Sequence, residues 1–396
     1  MIRRVEDLDL RDKTVFLRVD FNVPIEQGRI TETHRIESAL PTIRLILERA
    51  KKLVVATHLG RPDGKVVPKY SLRPVRDHLE QTLKQPVLLA PDSVGPEVER
   101  MVRDPIRSLV LLENLRFHKE EESNDMAFSK ALASLADVYV NDAFGAAHRA
   151  HASISGMATF FKQKAAGLLL HKELDYLSRL LSSPEKPFVT ILGGAKVSDK
   201  IGVIRNLLSK VNTLLIGGGM AYTFLKAKGI DIGKSLLEAD RVPLAREILR
   251  QAADQGVSTF LPVDHITGDN KRENPTVYTG NIPADRMGLD IGPQTVTQFS
   301  QELQHAGMVL WNGPVGLFEV EPYSKGSQAL AQTLADRYPG LVSIIAGGDT
   351  VAAVTAAGVA AKITHLSTGG GATLEFLEGK ELPGIKALEE IASTSR

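Results

Sequence analysis

Polar and cationic side chains follow the short apolar runs in the first half of the 396-residue sequence. They are Asp20, Asn22, His58, Arg61, Asn114, Arg116, Asp142, His148, Arg149 and His151. An arginine presents a planar fork of donors that fits phosphate or carboxylate oxygens, and a neutral histidine or asparagine adds further donors. The arginines of this half, with Arg35 among them, therefore predict a site for a compact anion. The alternative is that they are surface arginines without a specific ligand.

Glycines take the corresponding positions in the second half of the sequence. They are Gly193–Gly194, Gly217–Gly219, Gly313, Gly316, Gly347–Gly348 and Gly369–Gly371. A glycine turn that opens a helix brings free N–H groups close to an anion, so the set predicts a phosphate-rich ligand such as a nucleotide. Each turn taken alone has a simpler explanation, because strand–helix turns use glycine for steric reasons. Asp349, beside one such turn, is placed to hold Mg²⁺ that nucleotide phosphates also coordinate.

Several familiar sites do not fit these residues. His148 and His151 have a spacing that suits a metal, but no third ligand follows at a suitable distance in the sequence. Gly229–Ser235 resembles a Walker A loop, yet it has one residue too few between its glycines and no buried run before it. The G-x-G-x-x-G dinucleotide spacing, the protein-kinase signatures and the G-x-S-x-G nucleophile elbow are absent.

Short apolar runs separated by amphipathic stretches must position these residues. The runs are Val15–Val19, Leu53–Ala56, Leu109–Leu112, Val138–Val140, Phe188–Leu192, Thr213–Ile216, Thr259–Val263, Met308–Leu310 and Leu341–Ala346. Runs of this length are typical of strands buried on both faces of a parallel sheet with helical crossovers. They predict an α/β protein with two doubly wound parallel sheets, whose ligands bind beyond the carboxyl ends of the strands.

A helix is predicted at the boundary between the two halves. Leu168–Leu181 has apolar residues at helical spacing, and the SSPEKP sequence that follows ends the helix. A helix that joins two domains without a flexible linker sets their separation and could act as a hinge. The alternative is an ordinary surface helix.

Composition excludes several classes of protein. The chain has 48 Lys and Arg against 47 Asp and Glu, which gives a formal net charge of +1. This net charge provides no general electrostatic attraction to nucleic acid. It has no cysteine, which excludes disulfides and thiolate chemistry. The first residues carry acids rather than an apolar signal region, and no run approaches the ~18 apolar residues of a membrane helix. We therefore expect a cytoplasmic protein without a membrane or nucleic-acid partner.

Ten motifs, in order along nearly the whole chain, resemble the phosphoglycerate kinase family. They are RVDFNVP (Arg18–Pro24), THLGRP (Thr57–Pro62), ENLRF (Glu113–Phe117), NDAFGAAHRAH (Asn141–His151), LGGAKVSDKI (Leu192–Ile201), LIGGGMAYTFL (Leu215–Leu225), DIGP (Asp290–Pro293), WNGPVGLFE (Trp311–Glu319), AGGDT (Ala346–Thr350) and STGGGATLEFLEGKELPG (Ser367–Gly384). One departure is Ala146, where many members of the family have threonine.

The resemblance implies a monomeric, cytoplasmic enzyme of glycolysis with two Rossmann-like domains joined by a hinge helix. Its reaction would be ATP + 3-phosphoglycerate ⇌ ADP + 1,3-bisphosphoglycerate, with Mg²⁺ as cofactor. The implied domains are residues 1–170 for phosphoglycerate, 171–186 for the hinge helix and linker, and 187–386 for the nucleotide, with a tail from about Ala387 to 396 returning to the first domain. Transfer between two domains requires hinge closure that excludes water.

The resemblance also assigns roles to residues around phosphoglycerate and the transferred group. Those that would bind phosphoglycerate are Asp20, Asn22, Arg35, His58, Arg61, Arg116 and Arg149. Those that would act in transfer are Arg35, Lys196, Lys200, Gly370 and Gly371, with the two lysines predicted on one helix face and the glycines at a helix N-terminus. The acceptor carboxylate is already ionised at neutral pH, so no general base is required.

On the nucleotide side the resemblance implies a second set. It comprises Lys200, Gly217, Gly218, Gly292, Asn312, Glu319, Gly347, Gly348, Asp349 and Thr350, with Asp349 as the metal ligand. Two other classes of function stay open on the residues alone. An NAD-dependent dehydrogenase shares the fold class but needs the dinucleotide motif that the chain lacks. A two-domain anion-binding protein would explain the arginines but not the glycines.

Overall fold

The computed structural model describes residues 2–389. It divides into two compact units. Unit 1 contains the residues up to Asp175 together with those from Glu381 onward, and unit 2 is the single stretch Tyr176–Lys380. The division falls inside the segment 171–186 that was predicted as hinge helix and linker, and residues 381–386, predicted as part of the second domain, belong to unit 1. The predicted tail falls partly outside the described residues, since those after Glu389 are not among them.

Unit 1 is built on a six-stranded parallel sheet with the order β5-β6-β4-β1-β7-β8, and a two-stranded hairpin, β2-β3, lies outside it. The strands are β1 (Thr14–Arg18), β2 (Ile25–Glu26), β3 (Arg29–Ile30), β4 (Lys52–Ala56), β5 (Leu88–Leu89), β6 (Leu109–Leu111), β7 (Val138–Asn141) and β8 (Lys164–Ala166). The helices are α1 (His34–Arg49), α2 (Arg73–Leu83), α3 (Pro96–Arg103), α4 (Lys119–Glu122), α5 (Met126–Ala133), α6 (Leu168–Ser182), which continues into unit 2, and α14 (Pro383–Lys386).

Unit 2 contains a six-stranded parallel sheet with the order β11-β10-β9-β15-β16-β17 and a three-stranded antiparallel sheet, β13-β12-β14. The strands are β9 (Phe188–Leu192), β10 (Thr213–Ile216), β11 (Ser258–Phe260), β12 (Asp264–Gly268), β13 (Thr276–Thr279), β14 (Met287–Ile291), β15 (Met308–Asn312), β16 (Val342–Ala346) and β17 (His365–Leu366). The helices are α7 (Ile201–Leu207), α8 (Ala221–Ala227), α9 (Val242–Asp254), α10 (Pro293–Gln304), α11 (Lys325–Asp336), α12 (Gly348–Ala356) and α13 (Gly371–Leu377).

The central strands form because their apolar side chains are buried on both faces. Every residue of β4, β7, β9 and β15 is buried, which is the pattern of a parallel sheet covered on both sides. Each predicted apolar run overlaps one of the strands, and the α/β class with two parallel-sheet domains is confirmed. The three-stranded antiparallel sheet was not predicted, because β13 is mostly exposed and the buried positions of β12 and β14 include polar residues and glycine, so none of the three is a continuous apolar run.

In both large sheets the strand order reverses beside the first strand in the chain. In unit 1 the reversal lies between β1 and β7, and in unit 2 it lies between β9 and β15. Ligands of open α/β sheets bind at such a reversal, beyond the carboxyl ends of the strands. The residues after β1, β4 and β7 in unit 1, and after β9, β15 and β16 in unit 2, are therefore those to inspect.

The C-terminal segment belongs to unit 1 through specific contacts. Gly384 N–H donates to Ala147 O at 2.8 Å, and a Cβ on Gly384 would lie 2.7 Å from the side chain of Ile154. Ile2 and Glu389 form an antiparallel bridge. Unit 1 is thus completed by residues from both ends of the described chain. Within the part of the chain that the structure covers, no helix combines the length and the apolar character that a membrane crossing needs.

Candidate functional site

In unit 1 the strand register brings the predicted anion ligands to one edge. Arg18, the last residue of β1, is in register with Ala56 of β4 and Asn141 of β7, so the residues that follow these strands emerge together. Asp20 lies at the centre. Its Oδ2 accepts a hydrogen bond from Arg35 Nη1 at 2.7 Å, and its Oδ1 accepts one from Asn22 N–H at 3.1 Å. Arg35 reaches this edge because it is the second residue of α1.

The loop after β4 is held by two of the predicted residues. Asn22 Oδ1 accepts a hydrogen bond from Gly60 N–H at 2.9 Å, and Arg116 Nη1 donates to Gly60 O at 2.9 Å. Arg116 Nε also lies 3.2 Å from a carboxylate oxygen of Glu122. The backbone between His58 and Arg61 is thereby fixed by residues from two other loops. Arg116 is mostly buried, so its positive charge is concentrated rather than screened by water.

His58 is buried and acts as a neutral donor. Its Nδ1 lies 3.3 Å from Arg18 Nη2 and 4.0 Å from Asp20 Oδ1. Because a guanidinium can only donate, Nδ1 is the acceptor and the ring proton lies on Nε2. Burial, and then the charges of Arg18 and Arg116, hold the pKa of His58 well below its usual value. A neutral imidazole with a free Nε2–H can donate to an anion but adds no charge of its own.

A buried charge network beneath the edge was not predicted from the sequence. Arg18 is 1% exposed and its Nε donates to Ser153 Oγ at 2.8 Å. Ser153 donates in turn to Glu121 through its hydroxyl at 2.5 Å and its N–H at 2.9 Å, and Arg18 lies 3.9 Å from the same carboxylate. A buried ion pair persists only when hydrogen bonds satisfy both partners, as they do here. In the sequence Glu121 stands among other acids of α4, where nothing marks it as buried.

The remaining predicted residues of this half are placed differently. Arg61 and Arg149 are exposed on the loops after β4 and β7. His151 is buried, and burial together with the charges of Arg116 and Arg18 lowers its pKa to about 3. Asp142 is also buried: its Oδ1 accepts Leu170 N–H of α6 at 2.9 Å, and burial raises its pKa to about 7. The structure therefore joins Asp20, Asn22, Arg35, His58 and Arg116 directly, with Arg61 and Arg149 at the rim.

In unit 2 most of the glycine turns pack against one another. Gly193 N–H donates to Asn312 O at 3.0 Å, and Gly194 N–H donates to Pro314 O at 2.8 Å. Gly217 N–H donates to Leu192 O at 2.8 Å, and Gly218 N–H donates to Val315 O at 2.9 Å. Gly313 N–H donates to Thr350 Oγ1 at 2.7 Å. A Cβ on Gly193 would lie 2.2 Å from Pro314 O. These glycines are required for close loop packing, and their N–H groups are already bonded. The expectation that they form phosphate cradles is wrong for this group.

Two other glycine pairs open helices, as phosphate binding requires. Gly347 has a φ of 91° and precedes α12, whose first residues are Gly348, Asp349 and Thr350. Gly370 has a φ of 50° and precedes α13, which begins at Gly371. Added Cβ atoms on Gly348 and Gly370 would meet nothing within 4 Å, so both face open space. The first turn of a helix has N–H groups without intrahelical partners, and these are available to an anion.

Lys200 and Asn312 form the polar centre of unit 2. Lys200 Nζ donates to Asn312 Oδ1, and Asn312 Nδ2 donates to Ala346 O at 3.0 Å. Burial lowers the pKa of Lys200, while the charges of Asp199 and Asp349 act in the opposite direction. Lys196 is exposed. The prediction that both lysines lie on one helix face is wrong, because α7 begins only at Ile201 and Lys196 lies in the preceding loop.

Gly292 and Glu319 complete the predicted nucleotide set. A Cβ on Gly292 would lie 2.3 Å from the carboxyl carbon of Asp264, whose oxygens accept the Gln294 and Thr295 N–H groups at 2.9 and 2.8 Å. Gly292 is thus explained by helix capping at α10. Glu319 is exposed in the loop after β15.

A metal at this edge would depend on Asp349. Asp349 is exposed in the first turn of α12, close enough to Lys200 for the two charges to interact. Among residues 2–389 no group of three or more histidine or acidic side chains could hold an ion by itself. One carboxylate combined with phosphate oxygens and water is, however, the coordination that Mg²⁺ favours in nucleotide sites. The residues present therefore fit a nucleotide-bound Mg²⁺ and not a caged metal.

Comparisons of the sequence and of the structure with known proteins both identify the phosphoglycerate kinase family. The family model described as phosphoglycerate kinase matches residues 5–380. Phosphoglycerate kinases of Koribacter versatilis and Acidobacterium capsulatum are 54% and 55% identical, over 97% and 98% of this chain and 98% of each relative. The solved phosphoglycerate kinase of Coxiella burnetii has a TM-score of 0.86 at 41% identity, covering 98% of this chain and 99% of its own. That of Pyrococcus horikoshii has a TM-score of 0.85 at 34% identity, with 98% of each chain covered.

Proposed function

The chain belongs to the phosphoglycerate kinase family, and we propose that it catalyses reversible Mg²⁺-dependent phosphoryl transfer between ATP and the carboxylate of 3-phosphoglycerate. The products are ADP and 1,3-bisphosphoglycerate. The observation that carries the proposal is the cluster of donors at the carboxyl edge of the unit 1 sheet, namely the guanidinium groups of Arg35 and Arg116 and the Nε2–H of neutral His58. Such a cluster suits a small ligand with two anionic ends.

The phosphoglycerate site is proposed to have two parts. His58, Arg61, Arg116 and Arg149 hold the phosphate that does not react, and Asp20 and Asn22 contact the glycerate hydroxyl region. Arg35, which Asp20 holds at 2.7 Å, orients the reacting carboxylate. The neutral state of His58 supports this division, because a neutral donor binds phosphate without adding a charge beside three arginines.

The nucleotide site is proposed to lie at the carboxyl edge of the unit 2 sheet. Phosphates would meet the start of α12, with Gly347, Gly348 and Thr350, and the Lys200–Asn312 pair. Gly217, Gly218 and Gly292 would form walls of the adenosine pocket through their shape, since their N–H groups are already bonded. Glu319 would accept from the ribose hydroxyls. Asp349 would hold Mg²⁺, which when bound neutralises charge on the phosphates.

Transfer itself is proposed to depend on placement and charge rather than on a base. The acceptor carboxylate is ionised at neutral pH, so in-line positioning and neutralisation of the phosphoryl oxygens account for catalysis. Lys200 is proposed to contact the moving group, with Lys196, Arg35 and the start of α13 at Gly370 and Gly371 completing its surroundings. Burial of Lys200 supports the role, because a charge in a dry site acts more strongly.

The setting of the enzyme follows from the same proposal. It is a monomeric, cytoplasmic enzyme of glycolysis, and α6, which contains the boundary between the two units, is its hinge helix. The proposed reaction requires neither a membrane partner nor a nucleic-acid partner.

A coupled assay tests the proposed reaction. ATP-dependent phosphorylation of 3-phosphoglycerate should consume NADH when 1,3-bisphosphoglycerate is reduced by an added dehydrogenase, and Mg²⁺ should be required. NADH consumption in the absence of the coupling enzyme would indicate a dehydrogenase. Binding of 3-phosphoglycerate by calorimetry without any turnover would indicate an anion-binding protein. Either result would overturn the proposal.

A further inference from the structure

One carboxylate holds the loop between the Gly193–Gly194 turn and α7. Glu238 Oε2 accepts the N–H groups of Val197 at 2.5 Å and Ser198 at 3.2 Å, and its Oε1 accepts the Ser198 hydroxyl at 2.6 Å. Glu238 is itself anchored, since its own N–H donates to Thr223 Oγ1 at 3.2 Å, and Thr223 is buried in α8. Through these hydrogen bonds Glu238 ties the loop to α8.

This loop carries both lysines of the proposed transfer site. Lys196 immediately precedes Val197, and Val197 O accepts Lys200 N–H at 2.9 Å, so Val197–Lys200 forms one turn that ends at the start of α7. The Val197 side chain is fully buried, which fixes the other side of the turn. The position of the turn sets where the Lys200 side chain begins and whether its amine reaches Asn312 Oδ1.

The negative charge of Glu238 also favours its hydrogen bonds to this loop. Partial burial acts to raise the pKa of Glu238, but the hydrogen bonds from Ser198 and Val197 and the charge of Lys196 outweigh it and lower the pKa. The side chain is therefore a carboxylate at neutral pH, and its bonds to N–H groups are the stronger, charge-assisted kind. A negative charge at this place also attracts Lys196.

We propose that Glu238 is a positioning residue for phosphoryl transfer, which holds the Val197–Lys200 turn so that Lys200 meets the transferred group. The proposal rests on the proposed function, because it concerns the same site. Glu238 acts through the loop and contacts neither the reacting atoms nor Lys200 directly. Small displacements of a catalytic group reduce turnover far more than they reduce substrate binding. Loss of Glu238 is therefore expected to lower kcat and to leave the KM values near those of the native chain.

Asp269 provides a matched control in the same unit. Its carboxylate accepts the N–H groups of Lys271 and Glu273, both at 2.9 Å, and the Asn274 side chain at 2.8 Å. It thus fixes an exposed loop with the same set of bonds, two backbone donors and one side-chain donor. These hydrogen bonds lower its pKa, as they do for Glu238. A general effect of removing a loop-holding carboxylate would affect both residues equally.

The experiment compares Glu238→Gln and Asp269→Asn with the native chain, whose activity is measured first. If the native chain does not phosphorylate 3-phosphoglycerate, the proposed function fails. If it does, Glu238→Gln should lower kcat by roughly 10–100-fold with both KM values within about twofold, and Asp269→Asn should keep its kcat. A kcat for Glu238→Gln within about twofold of the native value, or an equal loss in Asp269→Asn, would overturn the inference.

Two further measurements separate positioning from folding. Amide hydrogen exchange should be faster at Val197 and Ser198 in folded Glu238→Gln, and at no other loop of unit 2. In a Lys200→Ala background, adding Glu238→Gln should lower the residual kcat by less than about twofold, because the two residues act as one unit. Full additivity contradicts the inference. Should Glu238→Gln fail to fold, Ser198→Ala removes one of the three bonds and should lower kcat by a smaller factor, again without a change in KM.

Discussion

The two sheet edges use different parts of the polypeptide for their candidate sites. In unit 1 the edge is made chiefly of side chains held by hydrogen bonds, with Arg35 on Asp20, Arg18 on Ser153 and Arg116 on the backbone carbonyl of Gly60. In unit 2 it is made chiefly of backbone, with packed glycine turns, two helix starts and the Lys200–Asn312 pair. The first edge therefore depends on the identity of a few side chains, and the second depends on shape.

This difference predicts how each edge responds to substitution. A small dianion is recognised by charge and by donor geometry, so single arginines should matter in unit 1. A larger nucleotide is recognised over many backbone contacts, so single side chains in unit 2 should matter only where charge moves or a metal is held. Under the proposed function, Lys200 would meet the moving charge and Asp349 would hold the metal, and the charges of these two residues interact.

The largest expected effect lies in the residues that meet developing charge. Arg35→Ala and Lys200→Ala should each lower kcat by roughly 10³–10⁵-fold, ~4–7 kcal/mol of barrier, because each removes a cation from the transferred group. Arg35→Lys should recover only part, since a point charge cannot replace a planar fork. Steady-state kinetics with circular dichroism as the folding control measure this. Near-native kcat with a raised KM would mean that both residues only bind.

The next effect separates binding from catalysis within unit 1. Arg149→Ala and Arg116→Ala should raise the KM for phosphoglycerate by about 10–100-fold with little change in kcat, because the phosphate that they are proposed to hold does not react. Arg149 is exposed, so its loss should leave the melting temperature unchanged. Arg116 bonds Gly60 O, so its loss should also lower the melting temperature. A fall in kcat for Arg149→Ala would place it among the transfer residues instead.

A smaller effect concerns the metal in unit 2. Asp349→Asn should raise the Mg²⁺ concentration needed for half-maximal rate by roughly tenfold, since one hard oxygen ligand is replaced by a neutral one. The KM for phosphoglycerate should not change, because the proposed phosphoglycerate site belongs to the other unit. Measurement of the rate as a function of Mg²⁺ concentration at fixed ATP tests this prediction. An unchanged Mg²⁺ requirement would mean that phosphates and water alone hold the ion.

A final effect concerns stability rather than activity and tests a feature that the two units share. Burial raises the pKa of Asp142 in unit 1 and of Asp290 in unit 2 to about 7. Between about pH 4 and pH 7 the folded state then binds more protons than the unfolded state, so each group lowers stability as pH rises, by up to ~1.4 kcal/mol per pH unit. Above pH 7 the effect levels off.

Asp290→Asn isolates this contribution. Asp290 accepts Gly326 N–H through Oδ2 at 2.7 Å and Ile291 N–H through Oδ1 at 2.9 Å. Asparagine keeps one of these two acceptors and replaces the other by a donor, a cost that does not depend on pH. Between pH 5 and pH 8 the unfolding free energy of the native chain should therefore fall relative to that of the variant. Denaturant titrations at these two pH values measure it. A difference that does not depend on pH would show that Asp290 is ionised throughout.

The parallel sheets and their boundary region could be predicted because buried strands have a local signature. β9 is a run of five buried residues, and α6 begins at the predicted Leu168. In the antiparallel sheet β12 is largely buried but contains polar residues, and β13 is mostly exposed, so no apolar run marks either strand. The separation of Lys196 from α7 was also not foreseen, because i,i+4 spacing fits a loop as well as a helix.

The sites were predictable only in part for a related reason. Arg35 and Arg116 stand at strand or helix ends, where sequence position alone indicates the edge of the sheet. The bonds of Arg18 to Ser153 and of Glu238 to Val197 join residues 135 and 41 positions apart. No local pattern reports such contacts. Glycine turns have a clear local pattern, but that pattern corresponds to more than one structural role. Gly193 allows close loop packing, whereas Gly348 begins a helix.

The interrupted course of unit 1 has a consequence for how the protein is made. Unit 2 is one uninterrupted stretch, whereas unit 1 needs α14 and the strand partner of Ile2, which come after it in the chain. A ribosome adds ~5–20 residues per second from the amino end, so unit 2 is fully synthesised before unit 1 can be finished. During that interval Ala147 O lacks its partner, Gly384, and Ile2 lacks its partner, Glu389, so the nascent N-terminal half exposes a surface that these residues will later cover.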